Sequence, residues 1–409
     1  MELQPIYKRV VGLDVHHKQI TACAIIEGSD GQVQVRHRQF GAFKRDRRAL
    51  AEWCAALEPE VVVMESTGIY WRSPYAVLEK YGIRATVVNA RHVKQVPGRK
   101  TDVGDAQWLA TLARAGLLRG SFVPPARMRE LRVVARQRVK LKQELSRSKN
   151  RFHKILADAG VRLGTVVSDL HGQSARAMLK KLLEGATPQQ AVRHASKRLK
   201  AGKKELAGAL EGELTQSHLF VLQDLLERIE DLEGRICRYD EYLLEQLEPE
   251  HNLLTLLQTI PGVDLIGAAL LLVEIGSDMT VFGSADRLAS WVGICPGNNE
   301  SAGKHKSGRI RKGNTYARRV LCEFAHAAVR TPSAFKAKFQ SLMPRRGYKR
   351  AIIAIAHKIL RTIFYMISRN EPYRDSTVDF EALYVKRNAP RWIRMLVKFG
   401  YIAPPQNGP

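Results

Sequence analysis

Four acidic residues carry the chemistry that stands out first in this sequence. Asp14 lies inside the apolar run VVGLDV at the end of the first strand pattern and Glu65 directly follows VVVM, so each carboxylate stands at the end of a stretch patterned as a buried strand. Asp102 and Asp105 lie three residues apart in KTDVGDAQWLA, at the start of a helix-patterned segment, and project from one helix face. Singly, each reads as a cap or an ion-pair partner, and Asp102 suits the positive end of a helix dipole. As a set they are harder to explain that way, because an unpaired buried charge is costly. Four carboxylates suit hard divalent cations, which take oxygen ligands and keep water for a reaction. Two such ions, about 4 Å apart, hold the attacking and leaving oxygens of a phosphodiester. The expectation is therefore Mg2+, as two ions, on Asp14, Glu65, Asp102 and Asp105.

A second constellation lies in GNNESAGKHKSGRIRKGN, residues 297–314. It is not a P-loop: five residues separate Gly297 from Gly303, and His305 follows Lys304 where Ser or Thr is needed. No G-x-S-x-G elbow occurs either. What remains is a glycine-rich basic loop with serines at 301 and 307 among Lys304, Lys306, Arg309, Arg311 and Lys312. Residues 301–320 contain seven basic side chains and no acid. Two readings stay open on the residues alone. The loop contacts phosphates, or one serine is a nucleophile whose transition state the cations stabilise.

The elements that must position these groups are legible in outline. β-patterned runs cover 9–15, 19–26 and 32–38, then come a helix over 43–57, a strand over 61–64, a helix over 74–81 and a strand over 84–88. A helix from Asp102 to about Leu118 follows, and Pro124-Pro125 closes an α/β domain with a mixed sheet. His16 and His17 follow the first strand and read as structural, phosphate-contacting or mechanistic. Trp71 and Trp108 read as core aromatics, with Trp71 also able to stack on a base.

Residues 126–160 read as one basic helix whose apolar stripe is interrupted by Arg138 and Ser148. Leu222, Leu225, Ile229, Leu232, Ile236, Tyr239 and Leu243 keep a 3-4 spacing that fits a coiled coil, within the chain or between chains, or a bundle helix. Between them, 161–210 is polar and basic, helical with mobile joints. LLQTIPGVDLIGAALLLVEIG, 256–276, has the pattern of a helix-hairpin-helix, whose turn offers backbone N–H groups to a phosphate. Helices are expected near 315–330 and 350–368, and the basic, proline-bearing tail is expected to fray. The resulting domains are 1–125, 126–250, 251–375 and 376–409.

Charge says what the chain meets. Its 409 residues carry 66 Lys and Arg against 40 Asp and Glu, a formal +26. A generally basic surface would produce this, but the excess is concentrated: residues 121–210 hold 21 basic and 6 acidic side chains. That is the footprint of a nucleic-acid partner, with Arg136, Lys140, Lys142 and Arg147 expected to meet its backbone. The five cysteines show neither C-x-x-C nor zinc spacing and read as reduced thiols in a cytoplasmic protein. MELQPIYKRV lacks the apolar run of a signal peptide, and LIGAALLLV is too short to span a bilayer, so no membrane is expected.

GLDVHHKQITACAI, VVMESTGIYW and RKTDVGDAQWLA resemble the DEDD motifs of transposases of the insertion sequence 110 family. IPGVDLIGAALLLVEIG and WVGICPGNNESAGKHKSGRIRKGN resemble that family's C-terminal domain. The resemblance covers nearly the whole chain in order. It implies a RuvC-like (ribonuclease-H-fold) N-terminal domain, a helical coiled coil and a mainly α-helical C-terminal domain. It also implies a nucleophilic serine, best matched by Ser301 with Ser307 as alternative. Further implications are a bacterial, nucleoid-associated homo-oligomer, dimer or tetramer, and recombination of donor and target DNA guided by a noncoding bridge RNA. The competing expectations are a hydrolytic RuvC-like nuclease that leaves free ends, and a nucleic-acid scaffold with degenerate chemistry.

Overall fold

The first three β-rich runs pair as a meander: β1 (Arg9–Val15), β2 (Gln19–Glu27) and β3 (Val33–Gly41), all antiparallel. The computed structural model describes residues 5–66, 68–89, 93, 102–196, 198–296, 299–301, 304–307, 310, 312–375 and 380–403, with backbone alone at 102, 103, 299–301, 304–307, 380, 381 and 384. Met1–Ala126 and Arg127–Pro409 form two separate units.

In the first unit, α1 (Lys44–Leu57) leads to β4 (Val61–Glu65) and α2 (Arg72–Lys80) to β5 (Ala85–Val88). Both strands run parallel to β1, giving the order β3-β2-β1-β4-β5. This is the mixed sheet expected from the order of strand and helix patterns. Strand alternation divides its side chains between two cores. Val11, Leu13, Val62 and Met64 pack with Leu50 and Cys54 of α1 and with Leu78 of α2. Val10, Val61 and Val63 pack on the other face with Ala106, Leu109 and Ala110 of α3 (Asp102–Arg114). Each fully buried Val, Leu or Met contributes roughly 1.5–3 kcal/mol, so slipping the register by one residue would turn several of them to the wrong face. The apolar pattern thereby fixes where the strand-end acids stand.

The second unit opens with two long helices, α4 (Ala126–Asp158) and α8 (Gln216–Gln246). They run antiparallel: Arg127 meets Glu250, just past α8, while Arg138 meets Asp240, Lys149 meets Glu233 and Asp158 meets His218. The heptad-like stripe of 222–243 is therefore satisfied inside one chain. Leu222, Ile229 and Leu232 share a core with Leu145, Phe152 and Leu156 of α4. Arg138 fits the apolar seam because Asp240 accepts from both ends of its guanidinium, at 2.6 and 2.9 Å. The expected mobile joints of 161–210 take another form. α5 (Gln173–Leu183), α6 (Pro188–Ala191) and α7 (Lys203–Leu210) lay Met178, Leu179, Ala191 and Leu206 into that same core.

Beyond it, α9 (His251–Gln258) and α10 (Leu265–Ile275) form the expected helical hairpin. α11 (Ala285–Val292), a short ribbon of β6 (Asn299–Ser301) and β7 (Lys304–Ser307), α12 (Thr315–Ala328), α13 (Ala334–Arg346) and α14 (Tyr348–Arg369) complete this region. α14 is long and apolar enough to cross a membrane by length and composition. Its Ile352, Ile355, Ile359, Leu360 and Ile363 are nonetheless buried as a core stripe. The tail differs from its expected fraying: α15 (Phe380–Lys398) is helical through Pro390, although Trp392, Met395 and Leu396 stay exposed.

Candidate functional site

The β1–β4 register pairs Leu13 with Met64, so one step further Asp14 stands beside Glu65 on adjacent parallel strands. Alternation turns both acids to the face that α3 covers. α3 runs opposite to β1. At its C-terminal end the Arg114 carbonyl accepts from Ile6 N–H at 2.9 Å, and the Arg114 guanidinium donates to Glu27 at 2.6 Å. Its N-terminal turn, bearing Asp102 and Asp105, therefore lies over the end of β1 that carries Asp14. Gly12 makes this approach possible. A Cβ there would stand 2.1 Å from the Ala106 carbonyl oxygen and 2.6 Å from Ala110 N.

Fold and register thus bring all four acidic positions to one end of the sheet. Asp14, Glu65 and Asp105 are partly exposed, and of Asp102 only the backbone is described. Among the described residues no three His, Cys, Asp or Glu side chains come close enough to hold a metal ion. The donor set itself is all carboxylate oxygen, which suits a hard divalent cation. His16 Nε2 lies 3.4 Å from Asp14, and the His17 ring meets Tyr70 edge-on at 5.2 Å. Sequence reasoning missed Tyr70 and Gly12. A glycine inside a strand pattern signals close backbone approach, so Gly12 was the findable one. Trp71 packs against Tyr75 at 5.8 Å, and Trp108 lies against the α3-side core, as expected for core aromatics.

The serine region is more ordered than the expected loop. Ser301 ends β6 and pairs with Lys304 of β7, while Ser307 pairs with Asn299. A bridge between Pro296 and Ile310 continues the ladder at the open end. Lys306 is in β7 and Lys312 is exposed beyond it, whereas Arg309 and Arg311 lie outside the described residues.

The basic helix separates into two populations. Lys140, Lys142 and Arg147 are exposed on α4. Arg136, expected to meet nucleic-acid backbone, is partly buried and paired within the protein. Its Nε and Nη2 donate to the two oxygens of Glu274 at 2.8 and 2.9 Å, and its guanidinium covers the Tyr316 ring. A bidentate pair with a buried carboxylate satisfies the fork that a phosphate would need. Glu274 was visible as a lone acid in LLLVEIG, but periodicity alone does not single it out.

Residues 11–160 match the DEDD transposase model of IS110 elements, and residues 254–340 match the model for transposases of the IS116/IS110/IS902 family. A probable family 20 transposase of Pseudomonas aeruginosa is 24% identical over 348 residues, 83% of this chain and 93% of that protein. The transposase for insertion sequence element IS1111A of Coxiella burnetii is 23% identical over 374 residues, 90% of this chain and 91% of its own. A RuvC structure from Thermus thermophilus aligns with 14% identity and a TM-score of 0.22, over 27% of this chain and 99% of that one. The first family match takes in the sheet from Val11 onward with its acids, the second spans the β6–β7 ribbon, and the order along the chain is that of a DNA transposase. This chain belongs to the IS110 family of insertion-sequence transposases.

Proposed function

We propose that this transposase cuts and rejoins DNA through Ser301, with Mg2+ held by Asp14, Glu65, Asp102 and Asp105, and that a noncoding RNA of the element guides it to donor and target. Membership of a DEDD transposase family implies divalent-metal dependence in general. The observation that carries the finer reading is the β1–β4 register together with antiparallel α3, which gathers four acidic positions at one sheet end. Such ions would supply charge neutralisation on the reacting phosphate. Asp14 and Glu65, on strands, give fixed oxygen donors. The two aspartates of α3 add the remainder from one helix face.

Ser301 would form an ester to the scissile phosphorus as the bond to a deoxyribose oxygen breaks. The serine proton ends on that departing oxygen, so one phosphodiester is exchanged for another. Rejoining reverses the step with the hydroxyl of the new strand. No nucleotide is consumed, which agrees with the lack of a P-loop pattern. Lys304, Lys306, Arg309, Arg311 and Lys312 would offset phosphate charge at the ribbon, and Lys140, Lys142 and Arg147 would hold backbone along α4. On this reading 1–125 is the DEDD domain, 126–250 the nucleic-acid-binding helices, 251–375 the serine-bearing domain and 376–409 a basic tail. The working particle is a dimer or tetramer.

The test is a denaturing gel of protein with labelled nicked DNA, followed by mapping of the attached peptide. Ser301→Ala is expected to bind DNA yet form no adduct, with Ser307→Ala retaining it. An adduct on Ser307 moves the nucleophile six residues along. Free 3′-hydroxyl and 5′-phosphate ends without any adduct would establish the hydrolytic nuclease instead. Sequencing of RNA that copurifies with the protein tests the guide.

A further inference from the structure

Glu274 is the single acid in the run LLLVEIG of α10, and its side chain is 2% exposed. A carboxylate buried to that degree persists only when its charge is matched. Two arginines of α4 match it. Arg136 binds both oxygens, and Arg132 Nε lies 3.1 Å from Oε2 while also donating to the carbonyls of Val273 and Glu274. Burial raises the Glu274 pKa, but the Arg136 and Arg132 guanidiniums and Asn314 outweigh it, and the group stays below the ordinary carboxylate value.

The third partner is the informative one. Asn314 Nδ2 donates to Glu274 Oε2 at 2.6 Å. Asn314 stands where the chain leaves the β6–β7 ribbon and enters α12, and its Oδ1 caps that helix by accepting from Tyr316 N and Ala317 N at 3.1 and 3.2 Å. Its own N–H donates to the Trp291 carbonyl at 3.4 Å. At the preceding residue, a Cβ on Gly313 would lie 2.4 Å from the Val292 carbonyl oxygen, so the backbone is pressed against the end of α11. The guanidiniums of Arg132 and Arg136 cover the rings of Trp291 and Tyr316 at 5.8 and 4.7 Å. A two-stranded ribbon of three and four residues is marginal alone. Asn314 gives it a fixed point where the chain enters α12.

We propose that Glu274 is a positioning residue for the β6–β7 ribbon, holding the foot of that ribbon to α4 and α10 through Asn314. The ribbon's anchoring stands on the geometry alone, and its consequence for strand cutting rests on the reading of Ser301 as nucleophile. A merely structural core pair is the plain alternative. The two make different forecasts, because Asn314 has two separable jobs: capping α12 and reaching Glu274.

Asn314→Ser separates them, since serine is also a good N-cap but is too short to keep the bond to Glu274. In the full-length protein, hydrogen–deuterium exchange of the 299–307 amides is expected to rise about tenfold in Asn314→Ser, the scale of one charge-assisted hydrogen bond, with α8 and the first unit unchanged. Glu274→Gln is expected to act in the same direction. Asp240→Asn, which breaks the Arg138 pair, serves as the matched control and is expected to leave the ribbon's exchange as it was. Single-turnover adduct formation on nicked DNA should fall on the order of tenfold to a hundredfold in Asn314→Ser at unchanged DNA affinity, as expected for a misplaced reacting group. Unchanged ribbon exchange in Asn314→Ser, or a rise spread evenly through the second unit, overturns the proposal. Raised ribbon exchange in a protein whose wild type forms no adduct sustains the anchoring and removes the serine reading.

Discussion

The acidic end of the first unit and the β6–β7 ribbon of the second hold their candidate functional positions by different physical means. Asp14 and Glu65 end strands whose register is fixed by fully buried neighbours, among them Leu13 and Met64. The acids follow the apolar pattern one residue later, and α3 is admitted by the absence of a side chain at Gly12. The segment that leads from the ribbon into α12 is held differently. A carboxylate, two guanidiniums and an amide hold it. Apolar packing locates a group stably but leaves little freedom, whereas a polar cluster is directional and each bond in it can be tuned or lost separately. The first arrangement suits ligands that must keep fixed distances to ions. The second suits a group that must approach and leave a DNA phosphate.

The sharpest break in this comparison comes from removing one acid. Asp14→Asn keeps volume and hydrogen bonding but removes a charged oxygen donor, so strand cutting in Mg2+ is expected to fall by roughly a hundredfold to a thousandfold or more, the scale seen when a preorganised charge-stabilising group is lost. The melting temperature should hardly move, because Asp14 is partly exposed at a strand end. Cutting at near wild-type rate by this variant would remove the acid set from the chemistry.

Gly12→Ala asks the converse question, since it touches no reacting group. The added Cβ would overlap Ala106 and Ala110 of α3, and overpacking of this kind costs about 1–3 kcal/mol. Thermal unfolding should register that loss, and cutting should fall with it because α3 can no longer bring Asp102 and Asp105 to β1. Full cutting in a destabilised Gly12→Ala would mean that the helix acids act without close packing of α3.

These two residues also mark how far the sequence alone can be read. Strand runs such as VVGLDV and VVVM announce both their alternation and the acids that end them, so the sheet and the site's general location were legible. Their order in the sheet followed from a meander and two crossovers. The long pair α4 and α8 was legible as helices, but not as partners, because a heptad stripe is the same whether its mate is in the chain or outside it. Arg138 looked like a defect in that stripe until Asp240 supplied its counter-charge from 102 residues away. Arg136 looked like its exposed neighbours for the same reason: nothing local in the sequence pairs it with Glu274. Pairings between distant polar residues are the part that local patterning does not encode.

Arg136 leads to a smaller effect. With its fork committed, the remaining exposed cations of α4 are Lys140, Lys142 and Arg147 among those assigned to nucleic acid. Replacing these three by Gln should flatten the plot of log affinity against log salt by about 0.7–0.9 for each phosphate no longer neutralised, and weaken many sequences alike. Arg136→Gln should instead lower stability with little change of slope. A slope change confined to Arg136→Gln would reverse the division between the two populations of that helix.

The smallest effect concerns a carboxylate in the same unit that holds helices together through other partners. Glu233 of α8 accepts from Arg176 of α5 at 2.7 and 3.1 Å, and Lys149 of α4 lies 2.7 Å away. The Arg176 hydrogen bonds, with Lys149 adding to them against the effect of burial, bring its pKa down to about 2. A carboxyl lowered on folding stabilises the protein above its unfolded pKa, and that contribution fades as pH falls through the folded value. Glu233→Gln should therefore cost about 1 kcal/mol at pH 7, the scale of a solvent-screened pair, because the side chain is 31% exposed. The gap between wild type and variant in thermal melts should shrink between about pH 5 and pH 2, as the wild-type carboxyl takes up its proton. Adduct formation and ribbon exchange should stay at wild-type levels throughout. If Glu233→Gln lost cutting to the extent expected of Asn314→Ser, the ribbon would be sensing any loosening of its unit, and the distinction between a polar anchor and ordinary packing would fall.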